Sequence, residues 1–349
     1  MAPSASRHPA IEKLLARRRL KVIEILPWMI AVGVFFLMPQ YLTLGSQILI
    51  MVLFALSLDI TVGYAGIIIL GQAAFYGMGA YTAGLLAAHG WGDPIFGLVA
   101  AGATAAMLGL LSGAVILRTT GLALLMLGMA VALILSELAN RLHDITGGFD
   151  GLRGINIKPI FGHFDFDFFG QTAFLYCLAT LFLAWIFVRQ LVNSPFGRSL
   201  VGIQENEARM AAMGTPVRRR KLIAFVISAG LAGVAGALSV QINQFVSLSV
   251  FSFDLSGTVL VMLVLGGSGR LYGAFIGAPL YMIAQDAFAK GDPVYWLFWL
   301  GLLLIGVVLF ARGGLLGVSD TIQRLIGSHL LRRSDASSDT TSRASGAGS

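Results

Sequence analysis

Acidic residues inside apolar stretches are the groups best placed to do chemistry in this chain. An ionised carboxylate at membrane depth is costly and is kept there for a task. Asp59 is the one acid deep in an apolar run, while Glu24, Glu137 and Asp286 sit near run ends, where a side chain reaches the interface. An ion-coupled carrier would use such a residue, but normally several acids or histidines together. The five histidines show no i, i+4 pair, so spacing argues for no metal site. The single cysteine, Cys177, lies in an apolar run, which excludes a disulfide framework and reads as a buried, inert thiol. Asp165-x-Asp167 is the one close acidic pair. Gly266-Gly267-Ser268-Gly269-Arg270 resembles a phosphate loop superficially, but no Gly-Lys-Ser/Thr follows it and no strand precedes it. ATP hydrolysis would have to come from another chain.

The elements that must position these groups are apolar helices. Of the 349 residues, 57% are hydrophobic and 12% charged, with mean hydropathy +0.83. A soluble domain carries roughly 25% charged residues. The expected fold is an all-α, polytopic transmembrane bundle of about ten spans, eight to ten being admissible. The spans fall near 22–38, 46–66, 71–88, 95–117, 121–139, 172–190, 222–243, 252–267, 273–288 and 294–311. The basic run Arg17–Lys21 precedes the first, which lacks a small-x-small cleavage site and reads as an uncleaved span. With ten spans and both termini cytosolic, 20 of the 24 Lys and Arg fall on the cytosolic side. An odd count would break that bias. The net charge of +7 is therefore a mark of the lipid bilayer and not of nucleic acid.

The segments follow from this frame: a basic cytosolic segment, 1–21, a permease domain, 22–315, and a cytosolic tail, 316–349, expected to be disordered after 333. Within the domain, 140–171 is a periplasmic loop and 191–221 the one long cytosolic loop. In the latter, Pro195 and Gly197 should punctuate a turn, and Glu205–Met213 should form a short helix stopped by Gly214 and Pro216. It reads equally as a linker or as a surface helix lodged in a partner's cleft. Glycines bracket the second and third spans (Gly63, Gly66, Gly71) and the eighth and ninth (Gly266, Gly267, Gly269, Gly273, Gly277). They permit close helix packing, as do Gly109-x-x-x-Gly113 and Gly273-x-x-x-Gly277. Interrupted helices also free backbone groups that can line a path at mid-depth.

Several segments resemble one family. Leu58-Asp59-Ile60-Thr61-Val62-Gly63-Tyr64-Ala65-Gly66, with Gly71-Gln72-Ala73-Ala74-Phe75-Tyr76-Gly77-Met78-Gly79-Ala80, is similar to the signature of branched-chain amino acid ABC importer permeases. Thr146-Gly147-Gly148-Phe149-Asp150-Gly151-Leu152 and Ile203-Gln204-Glu205-Asn206-Glu207-Ala208 resemble the LivM branch more than its LivH partner. With Leu265–Gly269 and Gly273–Ala278, the likeness covers roughly 20–315. The chain departs from the usual pattern at Asp59, Ile67, Ile69, Gln72 and Ala274, where Asn, Gln, Ser, His and Pro are common.

The resemblance implies a non-catalytic membrane subunit of the cell inner membrane that binds no cofactor itself. Its implied partners are a LivH-like second permease, two ABC ATPase subunits carrying ATP-Mg, and a periplasmic substrate-binding protein. Arg198, Glu205, Asn206, Glu207, Ala208, Ala212 and Gly214 would form the loop that couples to the ATPase. Thr146, Gly147, Gly148, Asp150 and Gly151 would face the binding protein. Asp59, Gly63, Gly66, Gln72, Tyr76, Gly266, Gly267 and Gly269 are candidates for the translocation path. Cargoes of this fold include leucine-like amino acids, urea, short amides and aromatic acids. The rival readings are a self-sufficient ion-coupled carrier using Asp59 and, more remotely, a membrane-embedded enzyme.

Overall fold

The computed structural model describes residues 26–37, 39–155, 157–159 and 170–310. The segment 1–21, the Asp165-x-Asp167 pair and the tail 316–349 lie outside the described residues. Among the described residues the regular elements are helical, apart from one isolated antiparallel bridge between Leu152 and Val246.

Among the described residues, ten apolar helices fall in the ten expected stretches. They are α1 (Leu26–Leu37), α2 (Leu42–Asp59), α3 (Gln72–Ala88), α4 (Pro94–Ile116), α5 (Leu122–Arg141), α7 (Gln171–Asn193), α10 (Val217–Asn243), α11 (Phe253–Gly266), α12 (Gly273–Gly291) and α13 (Trp296–Phe310). Three short helices complete the order: α6 (His143–Thr146), α8 (Pro195–Glu205) and α9 (Glu207–Ala212). Five segments are long and apolar enough to cross a membrane: Pro39–Tyr64, Pro94–Ile116, Leu122–Arg141, Gln171–Asn193 and Val217–Asn243. A chain with this many such helices is a multi-pass membrane protein.

Residues 1–257 and 258–349 form two compact units. In the first, α10 packs along α3 and α4, α2 packs on α10 and α7, and α5 lies against α3. Small residues allow this closeness. A Cβ on Gly79 would strike the Gly233 backbone, and one on Gly236 would strike Tyr76. Gly109 faces Ala229, and Gly113 faces Phe225. Such contacts suit a bilayer, where apolar area drives no association between helices and van der Waals packing takes its place. The faces of α4 and α5 that carry Leu111, Val115, Met126 and Leu133 are exposed, as lipid-facing surfaces would be.

In the second unit the turn between α11 and α12 is built from glycine. Gly267 (φ 108°) and Gly269 (φ 75°) take left-handed conformations that other residues rarely adopt. A Cβ on Gly266 would collide with Gly273, and one on Gly277 with the Met262 carbonyl. Here the two backbones touch.

Candidate functional site

The long loop after α7 differs from its expected form. In place of a turn at Pro195–Gly197, α8 begins there. Ser194 caps it by accepting from the Gly197 N–H at 3.3 Å, and Pro195 sits at the first helical position, where its missing N–H costs nothing. The expected single helix over 205–213 is split at Asn206. That residue is extended (φ −157°, ψ 98°), ends α8, and caps α9 by accepting from the Arg209 N–H at 2.9 Å. One cap residue thus terminates one helix and starts the next. Gly214 (φ 79°) then closes α9, with the Thr215 N–H donating to the Met210 carbonyl at 3.1 Å.

The two helices play different parts. Leu200 and Ile203 anchor α8, at 1% and 2% exposure. Helix α9 buries none of its residues, so Glu207, Ala208 and Ala212 are presented outward together with Arg198, Glu205 and Asn206. Lys221 donates to Glu207 at 2.7 Å and braces α9 against the start of α10. The Arg220 guanidinium holds the Ser199 hydroxyl at 2.8 Å and lies over the Phe196 ring.

Helix α8 also touches the interrupted second span. After α2 the chain makes a π-helical turn, Ile60–Tyr64, then runs irregularly to Gly71. Gly66 takes φ 68°, and a Cβ there would lie 3.1 Å from Cγ of Gln204. The interruption is polar inside. Gln72 donates to the hydroxyls of Ser228 (2.9 Å) and Ser57 (3.3 Å), and the Ser228 hydroxyl donates to the Ser57 carbonyl at 2.6 Å. Ser256 accepts from the Ala73 N–H at 3.0 Å. Asp59, Gly63 and Tyr76 are buried nearby in sequence, Asp59 at 1% exposure, with the Tyr76 ring against Phe54. Gln72 keeps one acceptor, Oε1, without a hydrogen bond. Asp59, Gly63, Gly66, Gln72 and Tyr76 thus belong to one stretch of the first unit, whereas Gly266, Gly267 and Gly269 form the separate turn of the second. Sequence reasoning missed Ser57 and Ser228, which lie far from Gln72 in the chain and carry no local signal.

At the other end of the bundle, Thr146 is buried and its hydroxyl donates to the Ala139 carbonyl and to the Leu142 carbonyl. Gly147, Gly148 and Gly151 all have positive φ. This tight turn leaves Asp150 exposed and Phe149 82% exposed at its tip. The loop is tied to the segment after α10: the Leu152 N–H donates to the Val246 carbonyl at 2.8 Å, and Arg153 lies 5.9 Å from the Phe245 ring centroid. No cluster of His, Cys, Asp or Glu able to hold a metal occurs among the described residues.

The interrupted span, the mounted helix with an outward face and the glycine-turned loop at the far end are carried by a multi-pass membrane protein. The chain belongs to the family described as branched-chain amino acid transport system, permease component, which matches residues 40–311. It is 31% identical to the high-affinity branched-chain amino acid transport system permease protein LivM of Escherichia coli (strain K12), over 88% of this chain and 77% of that one. A probable LivM of Methanocaldococcus jannaschii is 26% identical over 73% of this chain and 85% of its own length. The probable LivH of the same organism is 26% identical over 77% and 89%. No solved structure matches.

Proposed function

We propose that the chain is one permease half of an ABC importer in a bacterial inner membrane, passing branched-chain or related small amino acids from a periplasmic binding protein to the cytosol. The observation that carries this reading is α9, a helix with no buried residue held on an anchored α8. A mounted, outward-facing helix suits docking into a partner's cleft. The family match and the concentration of Lys and Arg on one side of ten spans support placing that partner, an ATPase, in the cytosol. A LivH-like chain would complete the path, and a second ATPase would dock on it. ATP-Mg and hydrolysis belong to those subunits. The Thr146–Gly151 turn, on the opposite end, would face the binding protein.

Mechanically, ATP-driven closure of the ATPases would move α9, and α8 would carry the motion to Gly66 through Gln204. The polar knot of Ser57, Gln72 and Ser228 would then rearrange. Such switching requires two states only a few kcal/mol apart, biased by the partners. The test is a double variant, Glu205→Ala with Glu207→Ala. It should insert normally while losing most co-purification with the ATPase and most uptake. Undiminished co-purification would remove the docking assignment. Urea, short amides or aromatic acids are the alternative cargoes, and the binding protein's ligand distinguishes them.

A further inference from the structure

The segment between α10 and α11 does not stay at the end of the bundle where α10 finishes. Gly236 packs on Tyr76 and Ala80, and Phe251 packs on the neighbouring Gly77 and stacks on Tyr81 with centroids 5.4 Å apart. Phe251 is therefore level with Gly236, seven residues short of the end of α10, or about 10 Å inside it at 1.5 Å per residue. Ser256 sits deeper still, bonded to Ala73 near the opposite end of α3. Gly71, just before α3, packs on Gly128, six residues into α5, or about 9 Å from that end by the same rise. Asp254, between Phe251 and Ser256, thus lies near mid-depth, although its place in the sequence suggests a helix end.

Asp254 is exposed and has no ion-pair partner among the described residues. An acid in the first turn of a helix gains only about 0.3–1 kcal/mol from the helix dipole, whereas a carboxylate at the bilayer centre costs about 2.5–3.5 kcal/mol even on insertion scales. The dipole does not hold it in lipid. Above it the chain descends from Asn243 to Ser252 with a single 3-10 turn, Leu248–Phe251, and an exposed Ser249 hydroxyl. Non-helical backbone at this depth is tolerated where it is buried in protein or lines water. The exposed Asp254 and Ser249 are polar groups that water suits better than lipid does.

We infer that Asp254, with the hydroxyl of Ser249, lines the solute route at mid-depth, the carboxylate receiving the ammonium group of an amino-acid solute. This rests on the importer reading. The test uses the assembled transporter in proteoliposomes, with leucine as the probe and Cys177→Ser as background. Asp254→Cys and Ser249→Cys should react with a membrane-impermeant methanethiosulfonate at least tenfold faster than Val115→Cys on the exposed face of α4, and leucine should slow the reaction. Asp254→Asn should raise the KM for leucine uptake at least tenfold and leave co-purification of the second permease intact. Labelling no faster than at Val115→Cys would overturn the inference. So would loss of the second permease from the Asp254→Asn complex, which would make Asp254 a subunit contact. If the unsubstituted complex shows no ATP-driven leucine uptake, the importer reading for this cargo fails, while the labelling rates still decide whether Asp254 faces water.

Discussion

The chain breaks its helices at 60–71 and at 266–273; the first break carries a buried polar knot and the second is a hairpin of touching glycines. Residues 60–71 of the first unit are held by hydrogen bonds among Ser57, Gln72 and Ser228, by the Ala73 N–H donating to Ser256, by Gly71 against the Gly128 backbone, and by Gln204 of α8 resting at Gly66. Residues 266–273 of the second unit bring glycine backbones into contact, and the Gly273 N–H donates to the Arg270 carbonyl at 2.7 Å. Hydrogen bonds between hydroxyls and amides can exchange partners at small cost, since an interhelical bond in a membrane averages about 0.6 kcal/mol. Close-packed backbone has no such alternative; it is one arrangement or none. On the importer reading, the first break is the one expected to switch.

Substitutions should separate the two. The largest loss of stability is expected from Gly273→Val, whose side chain would meet the Gly267 carbonyl. Overpacking of this kind costs about 1–3 kcal/mol or more, and thermal unfolding in detergent should show it. Gly66→Ala should cost about 1–2 kcal/mol through its left-handed backbone, and it should also impair uptake because it crowds Gln204. Gln72→Leu removes two hydrogen bonds, a loss of about 1 kcal/mol, yet uptake should fall at least tenfold. If uptake fell only in step with stability, the first interruption would be a packing feature like the second. The smallest effect belongs to Lys221→Met. This half-exposed pair with Glu207 is worth well under 1 kcal/mol, and the melting temperature should barely move.

Much of the fold was legible in the chain, because twenty-residue apolar runs and their flanking charges have few other meanings. The packing use of Gly109, Gly113, Gly273 and Gly277 was legible for a similar reason: small residues at helical spacing fit close backbones. What escaped were features set by long-range geometry. Asn206 looked like one residue of a continuous helix, but its side chain competes for the backbone and makes two helices. Asp254 carries no signal of depth in the sequence, where the hydrophobic run begins beside it. The inferred depth rests on contacts distant in sequence, those of Phe251 with Gly77 and Tyr81 and of Ser256 with Ala73. Asp59 was singled out as the acid at depth and is buried, at 1% exposure.

The most direct measurement is leucine uptake by proteoliposomes containing this chain, its second permease, the two ATPases and the binding protein. Accumulation that requires ATP and the binding protein, and that vanadate abolishes with ion gradients intact, is the predicted result. Accumulation by this chain alone, driven by an ion gradient without ATP, would contradict it.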